Sequence, residues 1–307
     1  MRFADFISVN DITKNEFREI LSFAQEIKNN PEKYINALKG KILAMIFEKP
    51  SLRTRVTFEV GMLQLGGEAI YLSPNDIQMG KREAIKDVAR NLERWVNGIM
   101  IRTFAHEIIL ELAEYAKIPV INGLSDLLHP CQAMADFLTL KEKKGKLNGL
   151  KLAYLGDGNN VAHSLIFAAS KCGVNISLAT PPGYEPKEEI VEAARKNAED
   201  FNSIIEITNN PEQAVKEADA VYTDVWASMG QEQEREKRLK IFPPYQVNKK
   251  IMSLAKNDAI FMHCLPAHRG EEVTDDVIDS SQSVVFDQAE NRLHIQKAIM
   301  ILLMGRD

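Results

Sequence analysis

Apolar positions along this chain fall into short continuous runs separated by amphipathic stretches. In the first half the runs at Lys41–Phe47, Glu68–Leu72, Gly98–Ile101 and Pro119–Asn122 predict strands. Helical spacing predicts helices over Arg53–Leu65, Ala84–Trp95, His106–Ala116 and Cys131–Lys143. The pattern restarts after the Gly- and Lys-rich stretch "KKGKLNGLK". Strands are expected at Leu152–Leu155, Val174–Ala179, Ile204–Ile207, Ala220–Thr223, Ala259–Met262 and Val284–Phe286. Helices are expected at Val161–Lys171, Lys187–Asn197, Pro211–Ala218, Pro244–Ala255 and Glu290–Met304. Such alternation reads as βαβ units, an α/β fold with two doubly wound parallel-sheet domains. The restart places the domains at 1–145 and 146–287, with 288–307 as a terminal helix.

Composition narrows the class. A length of 307 residues suits two domains, and 45% hydrophobic with 26% charged residues is ordinary for a globular chain. The net charge of -5 argues against a nucleic-acid partner. Three cysteines, Cys131, Cys172 and Cys264, have no framework spacing and read as reduced thiols. The opening "MRFADFISVNDITKNEF" has acids and no apolar core, and no run reaches the ~20 apolar residues of a membrane span. A cytoplasmic location and no membrane partner are expected.

In parallel sheets, ligands sit beyond the carboxyl ends of strands, so those ends matter most. After the first comes "FEKPSLRTR". Ser51 is a candidate helix cap, the next amides point outward, and Arg53 offers a fork suited to phosphate. Arginine is unfavourable at a helix start without an anion. Walker spacing is absent. Both Arg53 and Arg55 have a plainer alternative, pairing with acids such as Glu48 and Glu59, and it suits Arg55 better. Arg102 stands at the third strand end, and "LLHPCQ" follows the fourth, with His129 before Pro130 and Gln132 in the first helical turn. Arginine, imidazole and amide together can polarise a carbonyl.

The second half offers "YLGDGNNVAHSL". Gly156 and Gly158 open like a dinucleotide fingerprint, but Val161 replaces the third glycine. The next strand ends in "LATPPG" with no acid for a ribose, which disfavours a nicotinamide cofactor. Asn160 is a candidate for a small substrate, and Asp224, past a strand end, for a substrate ammonium or a helix cap. His263, Cys264 and His268 lack a second cluster to complete a zinc set, so no metal is expected. A nucleophilic Cys264 would need a neighbouring base. Arg292 lies early in the last helix, as a surface charge or a group reaching back to a site. "GQEQEREKRLKIFPP", Gly230–Pro244, is a polar insertion, either a solvated segment or a cover over a site.

Taken together, "SLRTR", "HPCQ", "DVWASMG" and "HCLP" resemble, in order and separation, the aspartate/ornithine carbamoyltransferase family over essentially the whole chain. "SMG" and "HCLP" point toward its ornithine branch. The resemblance implies two α/β domains with an active-site cleft between them and a terminal helix that packs back on the first domain. It implies no metal or organic cofactor. Carbamoyl phosphate would meet Ser51, Leu52, Arg53, Thr54, Gln78, Arg102, His129, Gln132, Cys264, Leu265 and Arg292. Ornithine would meet Asn160, Asp224, Ser228 and Met229. "SPNDIQMGKREAIKD" resembles the family loop that lends Gln78 to a neighbouring subunit, implying a homotrimer or an assembly of trimers. The implied reaction gives citrulline and phosphate and serves arginine synthesis or, in reverse, citrulline breakdown. Cys264 or Asp224 would accept the amine's proton, with Arg102 and His129 acting on the carbonyl. The alternatives are a carbamoyltransferase for another amine such as putrescine, an NAD-dependent oxidoreductase, and a non-catalytic anion-binding protein.

Overall fold

The computed structural model describes residues 4–305 except 78, 81 and 228–231. The chain divides into two compact units, Met1–Ala135 with Glu290–Asp307, and Asp136–Ala289. The divisions fall inside the helices Pro130–Lys144 and Val285–Met304.

The first unit holds β1 (Ile42–Phe47), β2 (Glu68–Leu72), β3 (Gly98–Arg102) and β4 (Val120–Leu124), all parallel, in the order β2-β1-β3-β4. β3 and β4 are buried throughout, which explains why they read as continuous apolar runs rather than alternating ones. Edge strand β2 is only partly covered. Ile46, Ile99 and Ile101 pack against Val88, Ile109 and Leu112 from the crossover helices. The N-terminal helix Lys14–Asn29 begins in a capping box. Thr13 Oγ1 accepts from Glu16 N–H, and Glu16 accepts from Thr13 N–H. The last helix packs here through Leu293, Lys297 and Met300, for which Gly61 leaves room. A Cβ on Gly61 would lie 2.8 Å from Met300 Cε.

The second unit holds β5 (Lys151–Leu155), β6 (Asn175–Ala179), β7 (Ile205–Thr208), β8 (Ala220–Thr223) and β9 (Ile260–His263), parallel, in the order β7-β6-β5-β8-β9. Strand order reverses between β5 and β8, the position where ligands of open α/β sheets bind. The corresponding reversal in the first unit lies between β1 and β3. Among the described residues no helix is long and apolar enough to cross a membrane.

Two expected elements differ. Val284–Phe286 is no strand. Val284 N–H donates to Phe261 O, one sheet-like bond, and the chain then turns into the helix Val285–Met304. Pro244–Ala255 is not one helix. Val247 bridges Val273, and that extended residue splits a 3-10 turn at Pro243–Tyr245 from the short helix Lys249–Met252.

Candidate active site

The first unit gathers cations at its strand ends. Ser51 caps the helix Leu52–Gln64, which follows β1, its Oγ accepting from Thr54 N–H at 3.1 Å. The Leu52 side chain is 74% exposed, which leaves its backbone as the group a ligand could use. Arg102 closes β3, and its carbonyl accepts from Glu48 N–H at 2.8 Å. The β3–β4 register shifts between Ile101 and Arg102, skipping Gly123. A Cβ at Gly123 would lie 2.6 Å from Met100 Sδ and 3.5 Å from Thr54 Cγ2, so glycine lets Thr54 sit against β4.

After β4 a turn closes through Ser125, whose N–H donates to Leu128 O and whose Oγ accepts from Leu128 N–H at 3.1 Å. That turn delivers His129 to Pro130, the first residue of the next helix. Arg292 reaches the same place from the last helix. Its Nη1 donates to Gln132 Oε1 at 2.6 Å and its Nη2 to Thr54 Oγ1 at 3.1 Å. Thr54, Arg102, His129, Gln132 and Arg292 are all buried. Burial first, then the charges of Arg292, Arg102 and Arg53, hold the His129 imidazole well below its usual pKa. His129 is therefore neutral at pH 7, and the three guanidinium groups are close enough to act on it. The exits of β1, β3 and β4 are also laced together by Glu48 with Thr103 and by Lys49 with Asp126. Arg55 turns away. It lies 3.6 Å from Glu59 and 4.0 Å over the Tyr71 ring.

In the second unit the β5, β8 and β9 exits form a cluster of opposite character. Cys264 Sγ donates to Asp224 Oδ1 at 3.1 Å, and Asn159 Nδ2 donates to Asp224 Oδ2 at 2.8 Å. Asn159 Oδ1 caps the helix Asn160–Cys172 by accepting from Val161 and Ala162 N–H. Asn160, the residue singled out from the sequence, is the first residue of that helix and half-buried. The residue in contact with Asp224 is its neighbour. "GNN" supplied the composition for this, but only the fold tells which asparagine caps.

Behind Cys264, the His263 Nδ1 accepts from Leu265 N–H at 2.8 Å. Its Nε2 faces Glu272 Oε1 at 3.1 Å, and that carboxylate oxygen also accepts from His268 N–H. The backbone bond fixes Nδ1 as the unprotonated nitrogen, so Nε2 carries the hydrogen given to Glu272. Leu265 takes a left-handed φ of 57°, which turns the chain sharply after Cys264. Asp224, His263 and Cys264, and separately His268, Glu271 and Glu272, are near enough to share a cation. Both ring nitrogens of His263 are already engaged.

The second glycine of "GDG" serves the protein's own chain. A Cβ on Gly158 would fall 2.2 Å from Pro186 N, and Gly158 N–H donates to Tyr184 O at 2.8 Å. Backbone 184–186 thus fills the place where a pyrophosphate would approach a dinucleotide-binding glycine. The polar insertion contributes a buried residue that its composition did not suggest. Arg238, in the helix Arg235–Ile241, donates through Nη1 to Asp157 Oδ2 and to Trp226 O, each at 2.7 Å. Burial pushes Asp157 up to about 6, with Arg238 opposing and Asp224 adding to the rise. The buried cysteines are structural. Burial raises the Cys131 thiol to about 12, and Cys172 Sγ donates to Ala168 O at 3.2 Å. Gln78, Ser228 and Met229 lie outside the described residues.

The first unit thus carries a cationic cluster at its strand exits, and the second an acid–thiol–amide cluster at its own. The aspartate/ornithine carbamoyltransferase models match this chain, the carbamoyl-P binding domain over residues 4–142 and the Asp/Orn binding domain over residues 148–303. The chain belongs to that family. Among its relatives, an ornithine carbamoyltransferase of Thermococcus kodakarensis is 58% identical, the match covering 98% of this chain and 96% of that one. One from Anoxybacillus flavithermus is 56% identical over the same shares. The solved ornithine carbamoyltransferase of Pyrococcus furiosus superposes with a TM-score of 0.96 at 55% identity, covering 99% of this chain and 97% of that one.

Proposed function

We propose that this chain transfers the carbamoyl group of carbamoyl phosphate to the δ-amine of L-ornithine, giving L-citrulline and phosphate. The observation that carries the reading is the buried Arg292 fork on Gln132 and Thr54, beside a His129 kept neutral by burial and three arginines. Supporting the ornithine branch, Asp224 is a buried acid at the β8 exit, held by Cys264 and Asn159, and suits a substrate ammonium. The relatives named above share the ornithine activity by name.

In this reading residues 1–145, with the last helix, take carbamoyl phosphate and residues 146–287 take ornithine. Ser51, Leu52, Arg53 and Thr54 hold the phosphate, with Gln78 completing the site of a neighbour in a homotrimer. Arg102 and His129 hold the carbonyl oxygen. Gln132, Arg292 and the backbone of Cys264 and Leu265 hold the carbamoyl amide. Asn160, Asp224, Ser228 and Met229 hold ornithine. No metal or cofactor takes part, and the protein works in the cytoplasm.

The δ-amine, whose free pKa resembles lysine's ~10.4, must lose a proton to attack. Cys264 takes it while its own hydrogen passes to Asp224 along the existing S–H···O bond, so sulfur stays neutral. Attack forms a C–N bond and a tetrahedral oxyanion, which Thr54, Arg102 and His129 stabilise. Collapse breaks the C–O bond, and the second amine proton leaves with the phosphate. Holding two substrates in register supplies much of the acceleration. The test is citrulline formation from carbamoyl phosphate with ornithine, putrescine or aspartate offered separately. Ornithine is expected to be used far better. Preference for either competitor refutes the reading.

A further inference from the structure

Arg238 is the feature that the proposed chemistry leaves unused. It comes from a polar segment that the sequence offers as either solvated or a cover over a site, and its side chain is only 6% exposed. Desolvating a guanidinium costs several kcal/mol, roughly, unless every face is compensated. Here each face is. Nη1 donates to Asp157 Oδ2 and to Trp226 O, and Nε donates to Glu234 Oε2 at 3.1 Å. The plane lies 4.8 Å from the Tyr184 ring and 5.6 Å from the Phe242 ring. Trp226 closes the aromatic wall, 5.8 Å from Phe242.

What it joins gives the arrangement meaning. Asp157 sits two residues before Asn159, in the loop leaving β5. Trp226 sits two residues after Asp224, in the loop leaving β8. A single buried nitrogen thus ties together the two loops that flank the strand-order reversal. The Asn159–Asp224 bond spans the same two loops one step nearer the proposed substrate. The Asp157 carbonyl is held in addition by the Tyr154 hydroxyl at 2.9 Å.

We propose that Arg238 is a positioning residue for the amino-acid half-site, setting the spacing between the Asn159–Asn160 corner and Asp224. The inference rests on the reading that this half-site receives ornithine. Arg238 does not touch substrate. It acts through Asp157 and the Trp226 carbonyl.

The experiment is steady-state citrulline formation with each substrate varied in turn, on Arg238→Met, Arg238→Lys and Asp157→Asn. Arg238→Met keeps an apolar stem between Tyr184 and Phe242 but loses all three hydrogen bonds. Its KM for ornithine is expected to rise at least tenfold while its KM for carbamoyl phosphate stays within twofold. Arg238→Lys, which keeps the charge, should recover part of the loss. Asp157→Asn leaves the Trp226 bond and should raise the ornithine KM less than Arg238→Met does. An unchanged ornithine KM in Arg238→Met, or an equal rise for both substrates, overturns the inference. If Arg238→Met does not fold, an ornithine KM in Asp157→Asn within twofold of wild type overturns it instead. Failure of the unmodified chain to make citrulline from ornithine overturns the functional reading itself, and the two failures are told apart by that control.

Discussion

The two strand-end clusters are built alike and charged oppositely. Each lies where strand order reverses, between β1 and β3 in one unit and between β5 and β8 in the other. The first surrounds a neutral imidazole with Arg53, Arg102 and Arg292. The second surrounds a carboxylate with a thiol and an amide. One architecture therefore carries two clusters of opposite charge, and the difference lies in a few residues at the strand exits rather than in the sheets. The cationic cluster also joins parts far apart in sequence, since Arg292 comes from the last helix. The acidic cluster is built from loops of its own unit.

The largest effect should come from breaking the cationic side. Arg292→Ala removes two charge-assisted bonds and leaves Gln132 and Thr54 buried with fewer partners. It should lower kcat/KM for carbamoyl phosphate by about 100-fold or more, ~3 kcal/mol or above, in steady-state assays. Breaking the acidic side comes next. Asp224→Ala should reduce kcat/KM for ornithine by roughly 100-fold through loss of the ammonium contact and the proton path.

A subtler effect sharpens the contrast through pH. Asp157 titrates at about 6 and faces Arg238, Asp224 and Glu234. Above that pH it is ionised and grips Arg238. As pH falls through about 6 it takes a proton and the grip weakens. The ornithine KM of wild type, relative to that of Asp157→Asn, should therefore rise as pH falls below about 6 and stay level above it. The smallest effect belongs to Arg55→Ala. That side chain is spent on Glu59 and Tyr71, so the carbamoyl phosphate KM should change by less than about twofold, with at most ~1 kcal/mol lost from unfolding free energy in urea titration.

Much of this was legible beforehand. The sheets announced themselves because buried parallel strands are apolar on both faces, and arginines at a helix start, unfavourable without an anion, motivate the proposed phosphate seat. What stayed hidden depends on long-range packing. Val284–Phe286 has strand composition and makes one strand-like bond, but the helix that follows claims Val285 and Phe286. "GNN" could not say which asparagine caps. The capping box at Thr13–Glu16 was readable and marks a helix the periodicity alone did not single out. Arg238 lay in a run of Glu, Lys and Arg, where nothing local separates a buried guanidinium from solvated ones.

The central claim is that anion recognition belongs to the cationic cluster and ammonium recognition to the acidic one. Calorimetric binding of carbamoyl phosphate alone to wild type, Arg292→Ala and Asp224→Ala tests it most directly. The account predicts a Kd at least tenfold weaker for Arg292→Ala, about 1.4 kcal/mol, and within about threefold of wild type for Asp224→Ala. Equal weakening in both variants, or none in Arg292→Ala, would contradict it.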